Sequence, residues 1–87
     1  MKVYRIYTED TPDYRDNVRT ILANAGIDGY TLYSGQGVWK GETESCLVIE
    51  IIRKDIKSFA AMVRQIKLVN AQAAVLYTIH KTDWWMA

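Results

Sequence analysis

One cysteine, one histidine, one proline and one phenylalanine are all that this 87-residue chain holds of those four types. The lone Cys46 excludes an intrachain disulfide and a cysteine-based metal cluster. With His80 as the one histidine, it leaves no conventional zinc set and no Cys–His catalytic pair. Neither a metal nor a cofactor is therefore expected. No apolar run approaches the ~18 residues that span a bilayer. A net charge of +1 gives no general pull toward a nucleic-acid polymer or a membrane surface. The opening MKVYRIYTED lacks the apolar centre of a secretory signal. Together these absences lead to the expectation of a cytoplasmic chain.

What is present suits a single folded domain over residues 1–87. Hydrophobic residues make up 49% of the chain and charged residues 24%, a globular balance rather than a disordered one. Val3 to Thr8 reads as a strand. Thr11 is placed to cap a helix, with Pro12 at its first position and Asp13 favouring its dipole. Tyr14, Val18, Ile21, Leu22 and Ala25 then recur at helical spacing, and Gly26 ends the helix. Tyr30 to Ser34 reads as a second strand. Ser45 to Ile52 gives the strongest strand signal, with Leu47, Ile49 and Ile51 on one side and Cys46, Val48, Glu50 and Ile52 on the other. Asp55 is a candidate cap for a second helix whose buried stripe is Ile56, Phe59, Ala60, Val63 and Ile66, stopping at Asn70. Ala74 to His80 is the last strand.

The order β-α-β-β-α-β predicts an α+β, ferredoxin-like sandwich. Right-handed crossovers place both helices on one face of a four-stranded antiparallel sheet. The other face then has no helix, yet it carries Val48 and Ile52. With Trp84 and Trp85 in the tail, this apolar surface leads to the expectation of a homo-oligomer. The alternative is a monomer whose tail folds back over the sheet.

The stretch GQGVWKGETES, Gly35 to Ser45, joins the second and third strands. One reading is a long hairpin with glycine at turn positions. The other is a small-molecule site. Glycine allows close backbone approach and bares N–H groups to an anion. Lys40 would meet a phosphate or carboxylate. Trp39 offers a flat face for a base or an electron-rich face for a cation. Glu42 and Glu44 would accept hydrogen bonds from hydroxyls or amines.

Gly26-Ile27-Asp28-Gly29-Tyr30-Thr31, followed by Gly35-Gln36-Gly37-Val38-Trp39-Lys40-Gly41, resembles the corresponding part of PII signalling proteins. There a helix-ending glycine pair leads through the second strand into G-x-G-x-x-K-G at the base of a long loop. The resemblance implies a homotrimer with inward-facing sheets and an adenosine-containing ligand in each cleft between subunits. The candidate binding residues it implies are Tyr33, Ser34, Gly35, Gln36, Gly37, Trp39, Lys40, Gly41, Glu42 and Glu44. The chain differs from the family in its missing long loop, in Val69-Asn70-Ala71-Gln72-Ala73 where a second phosphate loop stands, and in a last strand with Lys81 but no arginine pair. These differences resemble the compact PII-like proteins of phages, and they imply sequestration of a host nucleotide signal or cofactor.

A second resemblance is to phage S-adenosylmethionine lyases. It rests on Leu22-Ala23-Asn24-Ala25-Gly26, on Lys54-Asp55 and on Val75-Leu76-Tyr77. It implies that Trp39 stands at the family's aromatic position and Glu44 at its acidic one, with those two as candidate catalytic residues. The reaction would release methylthioadenosine and homoserine lactone. A third possibility is a structural or protein-interaction module that presents the hairpin itself. Elsewhere, Tyr14 is expected in the core, Cys46 as a small buried hydrophobe, and Arg15, Arg19, Arg64 and Lys67 on solvated faces. His80 is expected to be structural or exposed, and Thr31 and Tyr33 are candidates to line a cleft.

Overall fold

The computed structural model describes residues 1–86. Its elements are β1 (Lys2–Glu9), α1 (Pro12–Asn24), β2 (Thr31–Trp39), β3 (Glu42–Arg53), α2 (Phe59–Val69) and β4 (Leu76–Lys81). The strands form one antiparallel sheet in the order β2-β3-β1-β4, in agreement with the ferredoxin-like expectation. Period-two alternation sends Tyr4 and Ile6 of β1 and Leu47, Ile49 and Ile51 of β3 to one face. There they pack with Val18, Ile21 and Leu22 of α1 and Phe59, Met62, Val63 and Ile66 of α2. Each fully buried side chain of this size stabilises the fold by roughly 1.5–3 kcal/mol relative to exposure.

The ends of α1 follow its sequence. The Thr11 hydroxyl accepts the Tyr14 N–H at 3.1 Å, and Pro12 occupies the first turn. At the other end Gly26 has φ +74. Its N–H donates to Ala23 O at 3.0 Å, and the Ile27 N–H donates to Leu22 O at 2.9 Å. This pair of bonds is the Schellman closure, and buried Ile27 supplies its apolar contact.

α2 departs from expectation. Asp55 does not cap it; Ser58 stands at the cap position with φ 58 and makes no side-chain cap bond. Asp55 is drawn instead into an ion pair with Lys2. The helix therefore starts at Phe59. Ile56 packs on the core from outside it, Met62 joins the buried stripe, and Ala60 is exposed. The Tyr4 hydroxyl fixes the connecting loop by donating to Lys54 O at 3.2 Å and accepting the Ile56 N–H at 3.0 Å. α2 ends at Asn70 as expected, again by a Schellman closure: the Ala71 N–H donates to Leu68 O at 3.2 Å and the Gln72 N–H to Lys67 O at 2.9 Å. Here the left-handed residue is Ala71, with φ 50.

Strand bounds also shift. β2 runs on to Trp39 and β3 starts at Glu42, because the glycine stretch is absorbed into their ladder. β4 covers Leu76–Lys81 rather than Ala74 to His80. In the tail Trp85 and Met86 are largely exposed, at 86% and 83%, while Trp84 is more than half covered, at 43%.

Ala71→Gly tests the second closure. Removing left-handed strain of about 1–2 kcal/mol outweighs the roughly 0.5–1 kcal/mol of chain entropy that glycine adds. The urea midpoint should rise, by a stability gain of about 0.5–1 kcal/mol. Gly26→Ala should lower it by a similar amount.

Candidate functional site

The glycine stretch is a two-stranded ribbon. β2 and β3 pair without interruption from Thr31↔Glu50 to Trp39↔Glu42. Two residues, Lys40 and Gly41, make the turn, with φ 49 and 81. Positive φ at both positions is the geometry that matches strand twist in a two-residue hairpin. Beyond Leu47 neither ribbon face is covered: Gln36, Val38, Thr43 and Ser45 are exposed on the helix side, Gly35, Trp39, Glu42 and Glu44 on the other. The ribbon forms one end of a molecule 38 Å long.

Register sorts the expected site residues. Tyr33, Gly35, Gly37 and Trp39 of β2 lie on the helix-free face, beside Val48, Cys46, Glu44 and Glu42 of β3. Gly35 and Gly37 place no side chain there, so a gap separates the rings of Tyr33 and Trp39. A Cβ at Gly37 would meet Glu44 Cγ at 3.6 Å and Cys46 Cβ at 3.7 Å, so the stem of Glu44 lies over this glycine. An open groove of about 230 Å³ is lined by Gly35, Gln36, Thr43, Glu44 and Ser45, of which Gln36, Thr43 and Ser45 belong to the helix side rather than to this gap. Ser34 and Gln36 belong to the helix side, and Lys40 and Gly41 to the tip. The ten residues are thus brought into one ribbon but not onto one face.

The expected cradle of glycine N–H groups does not form. Gly35 and Gly37 are extended ladder residues whose N–H groups point to the same side of the strand, with that of Gln36 pointing oppositely, and three consecutive N–H groups therefore do not converge as they do in a nest. What the helix-free face offers is two aromatic rings, Tyr33 and Trp39, two carboxylates and bare backbone, with one cation at the tip. Burial first, and then the charges of Glu44 and Asp10, push the Cys46 thiol up. Half-buried Cys46 is therefore a poor nucleophile near neutral pH.

The root of the ribbon is held by residues that composition alone does not single out. Arg15 of α1 donates to both oxygens of Asp10, Nε to Oδ1 at 2.6 Å and Nη2 to Oδ2 at 2.9 Å. Arg15 also donates to Ser34 Oγ, which in turn donates to Asp10 Oδ2 at 2.8 Å. The end of β1, the first turn of α1 and the middle of β2 are so tied together. Arg15 is half-buried here, not on a freely solvated face. These bonds hold the Asp10 carboxyl well below its ordinary value, at about 2, the Arg15 guanidinium contributing most.

The remaining expectations fall as follows. Tyr14 is half-buried, Thr31 and Tyr33 are exposed on the helix-free face, and so is His80. That face carries a row Tyr33–Val48–Tyr7–Leu76, then Thr31–Glu50–Arg5–Thr78, then Ile52–Val3–His80. Arg5 and Glu50 pair at 2.9 Å in its middle, and the Thr78 hydroxyl beside them is buried without a partner.

No protein-family model matches the chain, and no curated protein matches it. Among solved structures it is similar to a DUF3240 family protein from Shewanella baltica OS155, with a TM-score of 0.74 and 16% sequence identity. The similarity covers 99% of this chain and 93% of that one. At this identity it shows the fold: a small α+β domain with a four-stranded antiparallel sheet and two helices.

The root cluster predicts a pH signature. A depressed carboxylate contributes stability that is full above its unfolded value and is lost as pH falls through its folded value. The stability gap between the native chain and Asp10→Asn, measured by urea unfolding, should be constant above about pH 5 and close between about pH 4 and pH 2.

Proposed function

We propose that the chain is a self-associating small-molecule-binding module: a PII-like homotrimer that holds an adenosine-containing ligand between subunits, against the ribbon. The observation that carries this reading is that Trp39, Glu42, Glu44 and the Gly35–Gly37 gap lie on the same sheet face as the exposed apolar side chains Tyr33, Ile52 and Leu76. Any assembly through that face brings a neighbouring subunit against the gap. Three features support self-association. The accessible surface is 6133 Å², about 900 Å² above the ~5,200 Å² typical of a compact 10.0-kDa monomer. That excess is close to the ~800 Å² per partner of a standard interface. β2, at a sheet edge, has nine residues with no charge, no proline and no bulge, the devices that normally protect an edge. β4 is the opposite edge, so contact of the two edges is head-to-tail, the kind of contact from which a ring is built when its rotation closes.

The chemistry of the gap favours a ligand with a flat ring and a cationic or hydroxyl-rich part. Trp39 or Tyr33 stacks the base, and Glu42 and Glu44 accept from ribose hydroxyls or an ammonium. Lys40 at the tip meets an anionic group. Two carboxylates against one lysine suit S-adenosylmethionine better than a triphosphate, and a sulfonium over Trp39 gains cation–π attraction. This charge balance also favours a second reading, turnover by a lyase. The substrate's carboxylate oxygen attacks its own γ-carbon, the carbon–sulfur bond breaks with its electrons going to sulfur, and neutral methylthioadenosine leaves with homoserine lactone. The reaction needs no base; the protein's part is to hold the attack geometry, with Trp39 and Glu44 as the groups at the reacting centre.

Light scattering should give the mass of three 10.0-kDa chains. S-adenosylmethionine, S-adenosylhomocysteine, ATP and cyclic adenosine nucleotides should then be compared by melting temperature and calorimetry. The sulfonium ligand should bind best, and Trp39→Ala should weaken it about tenfold. If no member of the panel raises the melting temperature, the ligand class is wrong. Methylthioadenosine accumulating above background, and lost in Glu44→Gln, separates turnover from retention.

A further inference from the structure

The larger concavity lies at the other end of the sheet from the ribbon. It has a volume of about 700 Å³ and is lined by Lys2, Lys54, Asp55, Lys81, Thr82 and Asp83. The sheet end that it adjoins has an unusual charge pattern. Lys2 of β1 is directly opposed by Arg53 of β3 on one side and by Lys81 of β4 on the other. Three cations thus stand in one row across three hydrogen-bonded strands. Directly opposed like charges destabilise a sheet, whereas opposite charges at such positions stabilise it. Asp55 pairs with Lys2 and offsets part of the repulsion. Lys2, Lys54 and Lys81 stand against Asp55 and Asp83 in the lining, and Arg53 adds a further cation beside Lys2 in the sheet, outside the lining itself. The walls are fixed, not loose: the Tyr4 hydroxyl holds the backbone at Lys54, and the Thr82 N–H extends the β4 ladder to Met1 O at 3.0 Å.

We infer that this concavity is a binding site for a phosphorylated small molecule, separate from the ribbon. The bound anion supplies the negative charge that the Arg53–Lys2–Lys81 row lacks. Lys54 and Lys81 reach it from two walls, and the Thr82 hydroxyl is available as a neutral donor. Asp55 orients Lys2 within the row. The size of the space suits a phosphate with an organic group attached, and ammonium groups acting as point charges place no demand on bidentate geometry.

Melting temperature and calorimetry with inorganic phosphate and pyrophosphate, each against potassium chloride at matched ionic strength, test this. Pyrophosphate should stabilise the chain well beyond chloride, and phosphate less so. Lys81→Gln should do two things at once. It should raise the melting temperature of the unliganded protein, by relieving the row, and weaken pyrophosphate about fivefold. Lys54→Gln, outside the row, should weaken the anion without raising the unliganded melting temperature. Trp39→Ala should leave the response intact, which keeps this site distinct from the ribbon. A response equal to that of chloride, or one unchanged in both lysine variants, overturns the inference. So does saturation only at salt-like concentrations, which would mark an adventitious ion.

Discussion

Everything in this domain depends on one pairing, that of β1 with β3 through eight residue pairs from Lys2↔Arg53 to Glu9↔Cys46. These are the two central strands. Their register decides that Ile6, Ile49 and Ile51 go under the helices together, and that Tyr7, Val48, Arg5 and Glu50 go to the other face together. A slip of one residue would exchange the two sets and put Glu50 beneath α1 and α2, where an unpaired carboxylate is costly. The same register aligns the cations at one end of the sheet and aims the β2–β3 ribbon from the other. Core and open face therefore follow from this ladder, and the ribbon and the cation row are built out from it by the β2–β3 and β1–β4 pairings.

The sequence made the layers plain because their signals are strong. Leu47, Ile49 and Ile51 alternate without a break, and Val18, Ile21 and Leu22 fall on one helical stripe. Thr11-Pro12 and Gly26 mark the ends of α1 by steric and hydrogen-bonding rules that need no tertiary context. The second helix was harder. Asp55 has the chemistry of a cap, but Lys2, distant in sequence, offers it a charged partner, and Ser58 in the left-handed region starts the helix three residues later. Tertiary electrostatics overrode a local preference that the local sequence could not weigh.

The candidate site was legible in its residues and not in its shape. Two glycines around Gln36 look like loop, since glycine is weak in strands. They are tolerated in β2 because one side of the strand is an edge and the stem of Glu44 lies over Gly37. This turned a supposed anion cradle into a flat shelf between two aromatic rings. The tie from Arg15 to Asp10 and Ser34 escaped notice because it joins three elements, and no periodicity within one element encodes it. The cation row escaped for the same reason: Lys2, Arg53 and Lys81 are neighbours in the sheet alone.

The ribbon has a consequence for variation among such chains. Past Ser34 and Leu47 no second layer packs on it, and its turn needs two residues in the left-handed region and nothing from the core. Extra pairs inserted at Lys40–Gly41 would lengthen its reach without disturbing a buried contact, since lengthening a surface connection costs little. Reach is therefore a quantity that can change independently of the scaffold that carries it.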